Sequence, residues 1–209
     1  MLPAVNRSTD VHRLLPNAFV WQLYDPALKA ELFSSGIVTS RGVYLVDPVP
    51  VDEDALSGAI GEAEVAGVII TNANHARTAI ATAELFDVPI HSHAEARSTL
   101  DADEVVEIGH GEGSPPGLTS IHIKGAPRGE VALHCSRDGG TLIIGDAVID
   151  LGSDGFALLP AKYCTDPKQM RRSLRQLLEF DFERLLFAHG TPITADAKAR
   201  FAELLDRGS

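Results

Sequence analysis

Short apolar or alternating runs at residues 18–24, 31–39 and 43–46 predict three strands. Ser40-Arg41-Gly42 suits a hairpin turn between the last two, so an antiparallel meander is expected near the start of the chain. The third run ends in Asp47, and Pro48 stops it by removing a ladder donor. Residues 52–64 predict a helix whose acidic first turn suits the helix dipole, although its glycines weaken it. Val68-Ile69-Ile70 is β-branched throughout and reads as a strand buried on both faces, with residues 71–77 as the loop at its end. From about Ala76 the apolar spacing turns helical through Ile80, Ala83 and Leu85 or Phe86, with Asn74 as the expected N-cap.

Strands at 89–93 and 104–108 follow, with a short helix at 94–100 between them, and a Gly/Pro-rich loop at 109–117 then divides the chain. The second part opens with strands at 118–123, 131–135 and 141–144, the last pair joined by a turn at 137–140 and closed by Gly145-Asp146. A helix at 167–180 has Pro167 in its first position and one apolar face of Met170, Leu174, Leu177 and Leu178. A buried strand at 184–188 ends in His189-Gly190, and a last helix, capped by Thr194, carries Ala197, Phe201, Leu204 and Leu205 on one stripe. The segment from Gly42 to Asp47 is similar to that from Gly140 to Asp146. Both Val68 to Asn72 and Leu185 to His189 are buried strands ending in a polar group. The expectation is one α/β domain over 1–209 in two similar halves, about 1–112 and 113–209. Their sheets pack face to face with helices outside, a four-layer αββα sandwich with the polar strand ends at one edge.

At 209 residues the chain can bury one substantial core, and 44% hydrophobic with 22% charged residues excludes disordered and fibrous classes. No apolar run reaches the length of a membrane span, and residues 1–7 lack the features of a signal peptide, so a cytoplasmic location is expected. Cys135 and Cys164 cannot form a disulfide framework. A net charge of −11 repels phosphate backbones and anionic lipid, which argues against nucleic-acid and membrane partners. A small-molecule ligand and a homodimer stay open.

The order of strand-plus-Asp47, strand-plus-Thr71 loop, Gly145-Asp146 and Ala188-His189-Gly190 resembles the metallo-β-lactamase superfamily over nearly the whole chain. In that family a strand runs into Thr-His-x-His-x-Asp-His, a later loop supplies a His, a Gly-Asp ends another strand, and a last His precedes Gly. The resemblance implies one or two zinc or iron ions that activate water for hydrolysis. Carried over residue by residue, Thr71 matches the motif's Thr. Asn72 and Asn74 fall on the first two His, Ala76 on the Asp, Arg77 on the last His, and Ala126 on the later loop His. Asp146 and His189 match, so two of seven ligands are kept. Zinc needs at least three protein donors, and a guanidinium is not one of them. The resemblance therefore implies a site with no metal cofactor, in which Arg77 forms an ion pair with Asp146. Zinc or iron in a reduced mononuclear site is the alternative. The pocket residues implied are Asp47, Thr71, Asn72, Asn74, His75, Arg77, Asp146 and His189. The expected function is a non-metal binding protein or pseudoenzyme. The alternative is a hydrolase acting on a small ester or thioester through one metal ion, or through His75, His189 and Asp146 as acid–base groups.

His75 is one position from a ligand slot, and His91, His93, His122 or His134 would have to converge with it to rebuild a metal site. No GxSxG, HExxH, P-loop or GxGxxG is present, so serine-hydrolase, zincin and nucleotide chemistries have no anchor. Cys164 reads as a structural thiol, with a nucleophile partnered by His189 as the alternative. Arg171, Arg172 and Arg175 read as a solvated helix face.

Overall fold

The computed structural model describes residues 6–102, 105–150 and 155–207. Its first sheet takes seven strands in chain order: β1 (Val11–Leu15), β2 (Ala18–Asp25), β3 (Ala30–Thr39), β4 (Gly42–Val46), β5 (Val65–Ile69), β6 (Ile90–Ser92) and β7 (Val105–Glu107). β1 to β4 form the expected antiparallel meander, and β4 to β7 run parallel. The crossovers carry α1 (Glu53–Ile60), α2 (Ala79–Phe86) and α3 (Ala94–Arg97). After residue 108 the chain enters its second sheet through β8 (Gly111–Glu112), β9 (Thr119–His122), β10 (Val131–Cys135) and β11 (Thr141–Ile144). A small ribbon of β12 (Val148–Ile149) and β13 (Ala157–Leu158) follows, then α4 (Pro167–Arg175), β14 (Arg184–Phe187) and α5 (Ala197–Asp206). The second sheet has the order β14-β11-β10-β9-β8, with β11 and β14 parallel.

Three apolar cores separate four layers. Phe19, Trp21, Leu45, Val68 and Ile70 pack with Leu56, Ala79 and Ala96 of the first three helices. Ile37, Tyr44 and Ile69 meet Leu133, Ile143 and Leu186 between the sheets. Leu142, Ile144, Leu185 and Phe187 pack with Met170, Leu174, Phe201 and Leu205 of α4 and α5. The period of two shows in the run 68–70: Val68 and Ile70 face helices while Ile69 faces the other sheet, so all three are buried. This is the four-layer αββα arrangement expected from the sequence.

Several local expectations are corrected. Asn74 does not cap α2, which starts at Ala79 behind Thr78. Arg77, at φ 35°, holds a left-handed bend that a helix cannot pass through. Thr194 does not cap α5 either, because Asp196 at φ 55° occupies that position and makes no side-chain cap bond. The helix expected over 167–180 is α-helical to Arg175 and tightens to a 3₁₀ turn at Gln176–Glu179. β1, β8, β12 and β13 were not anticipated: β1 mixes exposed and half-buried positions, and two-residue strands leave no pattern. Glu104, at the start of one expected strand, lies outside the described residues, as do residues 1–5. Among the described residues no helix is long and apolar enough to cross a membrane.

Candidate functional site

Two parallel pairs of strands, one in each sheet, deliver polar side chains from their C-terminal ends: β4 to Asp47, β5 to Thr71, β11 to Asp146 and β14 to His189. Backbone bonds tie these ends together. Asp47 N donates to Ile69 O at 2.9 Å, Val131 N to Thr71 O at 2.8 Å and Ala188 N to Ile144 O at 3.1 Å. Phe33 N donates to Ala188 O at 2.9 Å, joining the two sheets where the strand ends converge.

Asp47 is only 2% exposed, so its carboxylate must be satisfied by protein. Oδ1 accepts from Thr71 N at 2.8 Å, and Oδ2 accepts from Thr71 Oγ1 at 2.6 Å and from His75 Nδ1 at 2.9 Å. The other face of the His75 ring meets Asp146: Nε2 lies 3.0 Å from Oδ1, while Asn74 Nδ2 donates to Oδ2 at 2.9 Å. His189 Nε2 stands 3.4 Å from the same Oδ1. Of the residues the sequence put in one pocket, Asp47, Thr71, Asn74, His75, Asp146 and His189 form one bonded cluster.

The electrostatics follow from this geometry. Burial opposes a charge on His75, but Asp47 on one nitrogen and Asp146 on the other outweigh both burial and the nearby Arg77, and the ring's pKa is pushed up to about 9. Burial likewise opposes charge on Asp146 and Asp47. For Asp146, His75, His189 and Asn74 overcome it and hold the carboxyl far below the usual range. For Asp47, His75, Arg77 and Thr71 do the same. Two carboxylates thus stand against the His75 ring and the Arg77 guanidinium, which offset their charge.

Arg77 does not pair with Asp146 as the resemblance implied. Its Nη1 donates to Phe33 O at 2.7 Å and Asp47 O at 2.9 Å, and its Nη2 donates to Ala188 O at 3.3 Å. The positive φ of Arg77 turns its fork to the three carbonyls at the junction of the sheets, and His75 takes the place beside Asp146.

Glu130, which the sequence reading passed over, belongs to the site. It precedes β10, is 3% exposed, accepts from Asn72 Nδ2 at 2.6 Å through Oε2 and from Ala147 N at 3.0 Å through Oε1. Burial, then Asp146, raises its pKa to about 8, so it is protonated at neutral pH. The only signal was an acid directly before a strand whose first three residues, Val131, Ala132 and Leu133, are apolar. Asn72 therefore faces Glu130 and its Oδ1 accepts from Asn74 N at 2.8 Å, which orders the loop. Ala126 packs into the core beside α4, leaving an apolar side chain at the position matched to the later loop His.

The remaining candidates lie elsewhere. His91 packs against Tyr44, His93 and His122 meet edge to face with ring centroids 4.4 Å apart, and His134 Nε2 bonds Asp181 O at 2.8 Å. The Cys164 thiol contacts Leu159 O and Met170 Sδ at 3.6 Å, and burial raises its pKa, as a structural thiol would show. Arg171 is not simply solvated, since it donates to Leu205 O at 2.7 Å.

The sequence pattern of the metallo-beta-lactamase superfamily matches residues 9–207, and the chain belongs to that superfamily. Among solved structures, the chain is similar to DIM-1 metallo-beta-lactamase, with TM-score 0.73 and 16% identity over 97% of this chain and 100% of that one. It is also similar to the metallo-beta-lactamase from Pontibacter korlensis, with TM-score 0.72 and 15% identity over 95% and 99%. A third likeness is to TTHA1623 in a di-iron-bound form, with TM-score 0.61 and 24% identity over 86% and 97%. At these identities the likenesses establish the fold alone. A comparison with curated proteins finds no match.

The donor set does not fit the two-metal centre that the fold family implies: two amides, a methyl group and a guanidinium stand at four of its ligand positions, and a core alanine at a fifth. His75, Asp146 and His189 do place one ligand atom each within 4.8 Å of one another. These are the donor types that a single zinc or iron ion accepts.

Proposed function

We propose that this protein is a metallo-β-lactamase-fold member that works without a metal centre, as a small-molecule binding protein or pseudoenzyme of the cytoplasm. The observation that carries this reading is the His75 ring, bonded to Asp47 on one side and to Asp146 on the other. With Arg77 beside it, the imidazolium supplies the positive charge that two buried carboxylates require, and it occupies the nitrogen and the oxygen that an ion would need. A cleft of about 600 Å³ lies between the β2–β3 hairpin and residues 190–191, which follow His189 in the chain, with Tyr24, Leu28 and Phe33 in its walls. Its size and its mix of apolar and charged lining suit an organic ligand.

A second reading is favoured by the convergence of His75, Asp146 and His189. Those three residues would hold one ion, with Asp47 orienting the His75 ring from behind. When bound, such an ion would supply an activated water for hydrolysis of a small ester or thioester. Thermal unfolding in chelator, then with added Zn²⁺, Fe²⁺ or Mn²⁺, separates the two. The metal-free reading expects an unchanged midpoint. A rise of several degrees that Asp146→Ala abolishes would replace it with the mononuclear one.

A further inference from the structure

Apart from the His75 cluster, a cleft of about 500 Å³ opens between the loop over 123–130, the start of α3 and the turn before α4. Two cations stand in its wall, Lys124 and Arg128. Both are exposed, and neither forms a side-chain hydrogen bond or ion pair with another described residue. Of the two carboxyls in the lining, Glu95 has an oxygen bonded to Gly129 N at 3.2 Å, and Glu130 is engaged by Asn72 and Ala147.

The loop presenting these cations is rigid. Gly125 and Gly129 adopt φ of 88° and 70°, and a Cβ at either would strike the backbone of the α4 start or of Ala96. The bend is wedged between two helices, so the backbone positions that carry Lys124 and Arg128 are set by packing before any ligand arrives. His122 also lines the cleft; its Nε2 is buried with no hydrogen-bond partner of good geometry among the described residues, and the Ile108 and Gly109 backbone lies beside the ring. Its ring is packed by His93 at 4.4 Å and His110 at 5.3 Å between centroids. A ring nitrogen and two cations that line one cleft, none of them with a side-chain hydrogen bond among the described residues, make a polar set that a ligand would complete.

We propose that this cleft is a second binding site, for a small organic molecule bearing an oxyanion, either a carboxylate or a phosphate ester. Lys124 and Arg128 take the oxyanion, the guanidinium through its fork of donors. His122 Nε2 and the Gln169 side chain hydrogen-bond the remainder of the molecule. The volume suits a ligand of metabolite size. The cleft's lining shares Glu130 with the site described above, but none of the groups proposed to bind the ligand belongs to the His75 cluster.

The test is an amide chemical-shift titration of the whole chain with sodium phosphate and, separately, sodium acetate, at ionic strength held constant with sodium chloride. The expected result is saturable shifts at Lys124, Gly125, Arg128 and Gly129, with a dissociation constant on the order of millimolar for these fragment-sized probes. The K124E/R128E variant should weaken binding at least ~10-fold, whereas R41E, on a distant hairpin, should leave it unchanged. A preference for phosphate points to a phosphate ester and a preference for acetate to a carboxylate. Absence of saturable shifts, shifts that survive K124E/R128E, or equal shifts with chloride alone would overturn the proposal.

Discussion

His75 Nε2 lies 3.0 Å from Asp146 Oδ1, so a side chain from the first sheet and one from the second are bonded to each other in the interior. The opposite nitrogen of the ring is bonded to Asp47, and one imidazolium therefore joins the strand ends of both sheets. Removing any member leaves a buried charge short of a partner, which is the expensive way to break such a cluster.

Asp146→Asn and His75→Ala should each destabilise the protein by about 3–5 kcal/mol at neutral pH, measured by urea unfolding. The two changes should not add, because each abolishes the same contact, and a double-mutant cycle should show a coupling of about 1–3 kcal/mol. Additive effects would mean that the bond does not hold the sheets together.

The same cluster sets a pH dependence. His75 has a folded pKa of about 9 against an ordinary value of 6.5, so its contribution is complete below pH 6.5 and is lost as pH rises through 9. Glu130, raised from 4.5 to about 8, keeps its proton in the folded state while the unfolded chain loses it, which also lowers stability across that interval. Unfolding midpoints should fall between pH 5 and 9, each group contributing a slope of at most about 1.4 kcal/mol per pH unit. Glu130→Gln should flatten the acid side of that fall and leave the alkaline side.

The layers and most strands were legible because buried strands such as residues 68–70 and 141–144 carry their own pattern, and Gly/Pro punctuation marked the divide near residue 110. The strand-end residues Asp47, Thr71, Asp146 and His189 could be placed because they follow such strands directly. The pairing inside the site could not. Which partner Asp146 takes depends on the positive φ of Arg77, a backbone choice that no side-chain pattern announces. Glu130 was missed for a related reason: its burial depends on Asn72, distant in sequence, and on a backbone amide.

Arg77→Lys should cost about 1–3 kcal/mol in the same unfolding assay, although the charge is kept. An ammonium on an unbranched stem cannot span Phe33 O, Asp47 O and Ala188 O as the guanidinium fork does. A neutral result would mean that charge alone matters at this position.

Gly145→Ala should be destabilising by about 1–3 kcal/mol even though Gly145 has no left-handed backbone. A Cβ there would lie 2.5 Å from Thr71 Oγ1, 2.8 Å from Glu130 Oε1 and 3.0 Å from Asn72 Nδ2. Circular-dichroism melts would show the lowered midpoint. An unchanged midpoint would mean that these three side chains have room to move.

The central claim is that an imidazolium bridge stands where the superfamily's metal centre would be. Elemental analysis by mass spectrometry of protein purified without a histidine tag tests it most directly. The metal-free cluster predicts less than about 0.1 equivalent of zinc, iron and manganese together, whereas about one equivalent of any of them, lost in Asp146→Ala, would contradict it.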